Sequence, residues 1–295
     1  MIEMMLMKVA QPPATSWTQL PAALELAENT GAWATEKYVY QFGGAYSSTT
    51  GISKVLNRYD IAAKTHSVLS PAASAKTRFS GCMYEGYIYI LSGRGSRAAV
   101  NTAERYHIES DTWSTLAPPL VARSYTAACA VDGKIYVAGG RNNSNNSLNP
   151  ALDVYDIATN KWSSLAILPT PGAFGTLINI NPGELEYVTD AVHLKYTIAT
   201  NTWETIPYNF NEAPYIRSGV AINNKLYTYN FSTNQLMIYD GVNIVHIATP
   251  PPQPKTRSGH AFAANGDSIF IVGGLLSGGG QATREFWQLN IPSIM

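Results

Sequence analysis

The feature that most constrains this chain is a near-repeat. The stretch "VDGKIYVAGG" (131–140) alternates apolar and polar residues, then stops on two glycines, and close copies stand at "EKYVYQFGG", "GYIYILSG" and "GDSIFIVGG". Downstream of each run comes an aromatic followed by a polar residue: Tyr59-Asp60, Tyr106-His107, Tyr155-Asp156, Tyr196-Thr197, Tyr239-Asp240 and Trp287-Gln288. The spacings are 47, 49, 41, 43 and 48 residues. Seven positions beyond the first four aromatics stand His66, Trp113, Trp162 and Trp203.

Each unit reads as four short strands. In the third they are "SYTAACAV", "KIYVAGG", "ALDVYDI" and "KWSSLAI", with turn residues such as Asp132-Gly133 between them. Period-two alternation broken by Gly, Asn, Asp and Pro is the pattern of half-buried strands and hairpins. Four-stranded units repeated at this period build a radial arrangement of sheets. The glycines end the second strand where the backbone needs conformations that a β-carbon hinders.

Twin glycine, aromatic and tryptophan at fixed offsets resemble the kelch repeat, in six copies across nearly the whole chain. Units four and five depart from the pattern, with Thr189-Asp190 and Asn230-Phe231 at the glycine positions and Val245 near the tryptophan position. The resemblance implies an all-β fold, a six-bladed kelch-type β-propeller with four antiparallel strands per blade. The sixth unit stops after its third strand, while "SWTQLP" (16–21) matches the missing fourth, with the Trp-x-x-Leu spacing of "TWSTL" and "KWSSL". The N-terminal strand is therefore expected to complete the last blade and lock one closed domain. Blades one to five are expected over 22–70, 71–118, 119–169, 170–208 and 209–250, and the first three strands of blade six over 251–291.

Totals exclude several functions. Lysine plus arginine and aspartate plus glutamate stand at 20 each, so nothing favours nucleic acid or an anionic membrane as partner. No apolar stretch approaches the roughly 18 residues of a membrane helix. The opening "MIEMMLMKVAQPP" lacks a basic n-region and a cleavage site. A cytoplasmic, monomeric module is the expectation, with a virion-associated protein as the alternative. The two cysteines, Cys82 and Cys129, are too few for a disulfide framework and read as buried inert thiols on equivalent inner strands.

No zinc, P-loop or nucleophile-elbow motif is present, and the expectation is that neither metal nor cofactor is held. Propeller enzymes offer two precedents. A copper-radical oxidase of the galactose oxidase type needs a ligand set that cannot be matched here residue by residue. Bacterial kelch-type sialic acid epimerases need acid–base groups at the channel mouth, for which His260, Glu212 and Asp190 are the candidates. Spacing singles out none of them.

Arginine placement is more informative. The start of strand one and the end of strand two share a face of a four-stranded meander. Arg78, Arg123, Arg217 and Arg257 precede or open first strands, and Arg94, Arg97 and Arg141 follow the glycine positions. Seven of ten arginines thus map to one rim. Arg123 and Arg257 also carry a structural reading, since kelch repeats often place an arginine there; both lie 13 residues before the strand-two aromatic (Tyr136, Phe270). Loops after the glycines are long in blades six, one, two and three and short in four and five, and 141–150 and 274–281 read as contact loops. The expectation is a non-enzymatic binding module whose arginine-rich face takes a protein partner, an acidic small molecule or a glycan. A sugar epimerase or mutarotase at the channel mouth, a glycan-binding protein and a virion receptor-binding or structural protein are the alternatives.

Overall fold

The protein is seen in a computed structural model that describes residues 16–46, 51–95, 100–142, 144–207, 218–230, 233, 235–249, 254, 257–276 and 282–291. Six four-stranded antiparallel sheets follow one another along the chain. The innermost strands, in blade order, are Gly31–Ala34, Ser80–Tyr84, Ala127–Val131, Thr176–Ile178, Val220–Ile222 and Ala261–Ala264. Each packs against the next and the last against the first, so the ring closes around a central channel. Alanine, glycine and cysteine dominate several of these strands because six of them crowd around one axis.

Closure is made by the N-terminus. Trp17–Leu20 pairs with Phe286–Asn290 as the outer strand of the sixth sheet, in the register Trp17 opposite Leu289. Trp17 is 2% exposed and meets Tyr229 of blade five edge-to-face, with ring centroids 5.2 Å apart. The register also moves one anchor of the repeat. Trp287 pairs with Ile271 as Asp153 pairs with Val137, so Leu289, not Trp287, takes the place that Tyr155 holds in blade three.

The aromatic–tryptophan pair ties the outer strands of neighbouring blades. Tyr106, Tyr155 and Tyr196 donate their hydroxyls to Asp111, Asn160 and Asn201 at 2.7–2.8 Å. The same side chains accept backbone N–H groups of the preceding blade from Ser70, Ala117 and Ala166. Trp113, Trp162 and Trp203 donate their indole N–H to the carbonyls of those same three residues. His66 substitutes faithfully, reaching the Pro21 carbonyl at 3.2 Å while packing on Tyr59.

The glycines stitch the blades nearer the axis. Gly44, Gly93, Gly140 and Gly274 donate their N–H to the carbonyls of Lys76, Arg123, Gly172 and Ala27, each in the following blade. At Gly139 φ is +62°, and a β-carbon there would come within 2.6 Å of the Gly172 carbonyl oxygen. Close approach of the next blade, together with φ, makes glycine necessary at that position.

Candidate functional site

Above the blades, the segment before each first strand pairs with the segment after the glycines. Thr77 bridges Arg94, Ser124 pairs with Arg141, and Ser258 pairs with Leu275. These short ladders lift Arg94 and Arg141 onto one rim, over blades two and three. There a cavity of about 700 Å³ is lined by Arg78, Arg94, Arg141, Tyr125, Phe174 and the polar residues Ser124, Asn142, Ser144, Asn145 and Asn146. Among the described residues, no carboxylate lines it.

Three of the seven arginines singled out by sequence therefore converge. Arg94 is exposed, and Arg78 and Arg141 are half-buried. Arg141 donates to the Asn146 carbonyl at 2.7 Å, which anchors it inside its own loop. Its Cζ lies 5.8 Å from the centre of the Phe174 ring, and the Arg78 Cζ lies 5.1 Å from the centre of Tyr125. Tyr125 and Phe174 pack against each other with ring centroids 3.9 Å apart and planes tilted by 39°. Guanidinium, ring, ring and guanidinium thus lie next to one another in that order, and among the described residues the buried Arg78 Nε has no hydrogen-bond partner. Burial raises the Tyr125 phenol pKa above its ordinary value; Arg78 pulls it down, the Glu28 carboxylate pushes it up, and Arg94 and Arg141 pull it down.

Two other arginines belong to the interior, which corrects their expected place on the binding rim. Arg123 is 1% exposed and donates to the Gly139 and Ala151 carbonyls at 2.9 and 3.0 Å and to Asp153 at 2.5 Å. Arg257 is likewise buried, donating to the Gly273 carbonyl at 2.9 Å and to Glu285. Each holds the first glycine's carbonyl and a carboxylate on strand three or just before it, so neither can reach a ligand. Burial lowers the pKa of both guanidiniums against the pull of their carboxylates. Lys76 fills this position in blade two, fully buried and 2.8 Å from Glu104. Its offset of 13 from Tyr89 was a signal in the sequence. Arg97 and Arg217 lie outside the described residues, as does Glu212.

Tyr125 and Phe174 were missed by sequence reasoning. Their signal is positional: with Asn29, Arg78 and Gly259 they stand two residues before the innermost strand, in five of the blades. All five have left-handed backbones, φ +52 to +62°. Asn29 donates its N–H to the Gly259 carbonyl, Arg78 to Asn29, Tyr125 to Arg78 and Phe174 to Tyr125. These bonds form a collar around the mouth of the channel.

The channel itself encloses about 770 Å³ and shares Arg78, Tyr125 and Phe174 with the rim cavity. His260 faces it, 2.9 Å from the Ser218 hydroxyl, and buried Glu28 also lines it. Asp190 is exposed on blade four and is not among the lining residues. Cys82 and Cys129 line the channel as free thiols, and among the described residues no three His, Cys, Asp or Glu side chains cluster as metal ligands would. Burial pushes Cys129 up to about 12 and Cys82 well above its ordinary value.

The family profile described as "Kelch motif" matches residues 75–120 and 122–169, which are the second and third blades. Two blades of this six-bladed β-propeller are thus kelch motifs. The kelch assignment fits the recurring glycine, tyrosine and tryptophan bonds, and the departures in blades four and five leave the ring intact. No curated protein sequence matches the chain. A solved structure titled "Structure of YjhT" superposes with a TM-score of 0.71, covering 92% of this chain and 99% of that one at 14% identity. At that identity the likeness is one of fold. Among the described residues no helix is long and apolar enough to cross a membrane.

Proposed function

We propose that this kelch propeller is a recognition module that holds an acidic, hydroxyl-rich ligand, such as an acidic saccharide, in the rim cavity over blades two and three. The observation that carries this reading is the convergence of Arg78, Arg94 and Arg141 on a cavity with no carboxylate among the described residues that line it. Guanidinium forks hold a carboxylate bidentately and stay charged when partly desolvated. Ser124, Asn142, Ser144, Asn145 and Asn146 supply hydroxyl and amide groups suited to sugar hydroxyls, and no aliphatic side chain is among the described lining residues. Kelch-like propellers usually recognise proteins and some recognise sugars, so an acidic peptide is the competing occupant.

A tetragalacturonate, its methyl ester and a tetraglutamate peptide separate these cases by titration calorimetry. Binding of the free acid but not the ester is expected, weakening as salt rises. The double variant Arg94→Gln/Arg141→Gln should lose about 1.5–3 kcal/mol per charged contact. Equal binding of acid and ester sinks the reading; binding of the peptide alone moves it to a protein partner.

A second reading, sugar epimerisation or mutarotation at the channel mouth, is favoured by buried Glu28 and by His260 lining the adjoining channel. Following the ring proton of a bound acidic sugar by NMR tests it, with no exchange above the uncatalysed rate counting against it.

A further inference from the structure

The collar requires a left-handed backbone in five of the blades, but it does not require any particular side chain. Asn29, Arg78, Tyr125 and Phe174 are each placed by a backbone bond, N–H to the collar carbonyl of the preceding blade, and Gly259 accepts the first of these. Glycine adopts such φ values freely and asparagine tolerates them; for a large side chain they are strained. Blades six and one follow that preference, with Gly259 and Asn29. Blades two, three and four do not, carrying Arg78, Tyr125 and Phe174 at φ +57, +58 and +62°. Strain that persists at consecutive positions is the mark of a constrained site. All three bulky members line the rim cavity; neither Asn29 nor Gly259 does.

We infer that Tyr125 and Phe174 are positioning residues, kept at a backbone cost because their paired rings hold the Arg78 and Arg141 guanidiniums in place at the wall of the rim cavity. This rests on the ligand reading above for its purpose, but not for its physics. The two rings meet at 3.9 Å, and each offers a face to one guanidinium, at 5.1 and 5.8 Å. A guanidinium over an aromatic face keeps its N–H edge free for a planar anion, and holding it there in advance removes rotamer entropy that binding would otherwise cost. Arg94, which no ring covers, supplies charge without this fixed orientation.

The test compares Tyr125→Gly, Tyr125→Ala and Tyr125→Phe, with the same Gly and Ala changes at Phe174, in the full chain. Calorimetric melting should rank the glycine variants above the alanine variants, the reverse of their order in ordinary strands, with Tyr125→Phe close to wild type. Phenylglyoxal modification, read by peptide mass, should reach Arg78 and Arg141 several-fold faster in the glycine variants than in wild type or Tyr125→Phe, and Arg94 at an unchanged rate. Tetragalacturonate binding should weaken about tenfold in Tyr125→Gly and recover in Tyr125→Phe. Glycine variants that melt below alanine variants, or unchanged modification of Arg78 and Arg141, overturn the inference. Wild-type protein that ignores tetragalacturonate while the melting order and modification rates hold counts against the ligand reading alone.

Discussion

Replacing Arg123 by methionine should show how much of this propeller rests on charges buried under the rim. The side chain is 1% exposed and satisfies three acceptors: the Gly139 carbonyl, the Ala151 carbonyl and Asp153. Methionine fills most of the volume and supplies no donor. Asp153, itself 2% exposed, would keep only the Ser164 hydroxyl at 3.2 Å. Breaking a buried pair from one side leaves an uncompensated charge and costs about 3–5 kcal/mol. Unfolding entropy of about 2.1 cal/mol/K per residue over the 295-residue chain converts this to a melting-temperature loss of about 5–8 °C. Arg123→Met/Asp153→Leu removes both charges, and apolar replacement of a whole buried pair is often close to neutral. The double variant should therefore regain more than half of the loss. Differential scanning calorimetry at pH 7 reads both. A single variant within about 1 °C of wild type, or a double variant no better than the single, would refute the strut. Because neither Arg123 nor Asp153 lines the rim cavity, the double variant should bind tetragalacturonate as wild type does.

Deleting residues 1–22 removes the strand paired with Phe286–Asn290 and exposes a sheet edge; aggregation and a lower melting temperature should follow, and unchanged melting would end the closure account. Trp17→Ala alone should cost about 3–5 kcal/mol, as for other buried aromatics, measured by urea titration. Iodoacetamide should label Cys82 and Cys129 slowly in the native protein and both completely in denaturant without reductant; fewer than two adducts in denaturant would contradict the free thiols. Both thiol pKa values are raised in the folded state, Cys129 to about 12, so the folded chain binds more protons than the unfolded one above the ordinary thiol range. Stability should accordingly be complete below about pH 8.5 and fall as pH rises beyond it, with a shallower fall in Cys82→Ala/Cys129→Ala; identical alkaline profiles would remove the thiols as its cause.

The blade count, the strand pattern and the closing strand could be read from one dimension because each depends on local rules. Period-two alternation places one face inward, glycines mark positive φ, and the Trp-x-x-Leu of 17–20 declares a fourth strand with no third beside it. The offset of 13 from the strand-two aromatic even carried the structural role of Arg123 and Arg257. Register was harder: Leu289, lacking an aromatic ring, hid the true repeat position behind Trp287, and only pairing across the sheet distinguished them. The site lies further still from what sequence can say. Seven arginines mapped to one rim, but an arginine before strand one points inward or outward according to a two-residue difference that the collar bonds decide. Arg123 lies within reach of Asp153 and is buried; Arg78, two positions later in its own repeat, turns left-handed and faces the cavity. Tyr125 and Phe174 belong to different blades, 49 residues apart, and carry no local signature. They meet because the ring brings equivalent positions of adjacent blades into hydrogen-bonded contact. Local rules specify a blade; the neighbours each blade presents to the next exist only once the ring has closed.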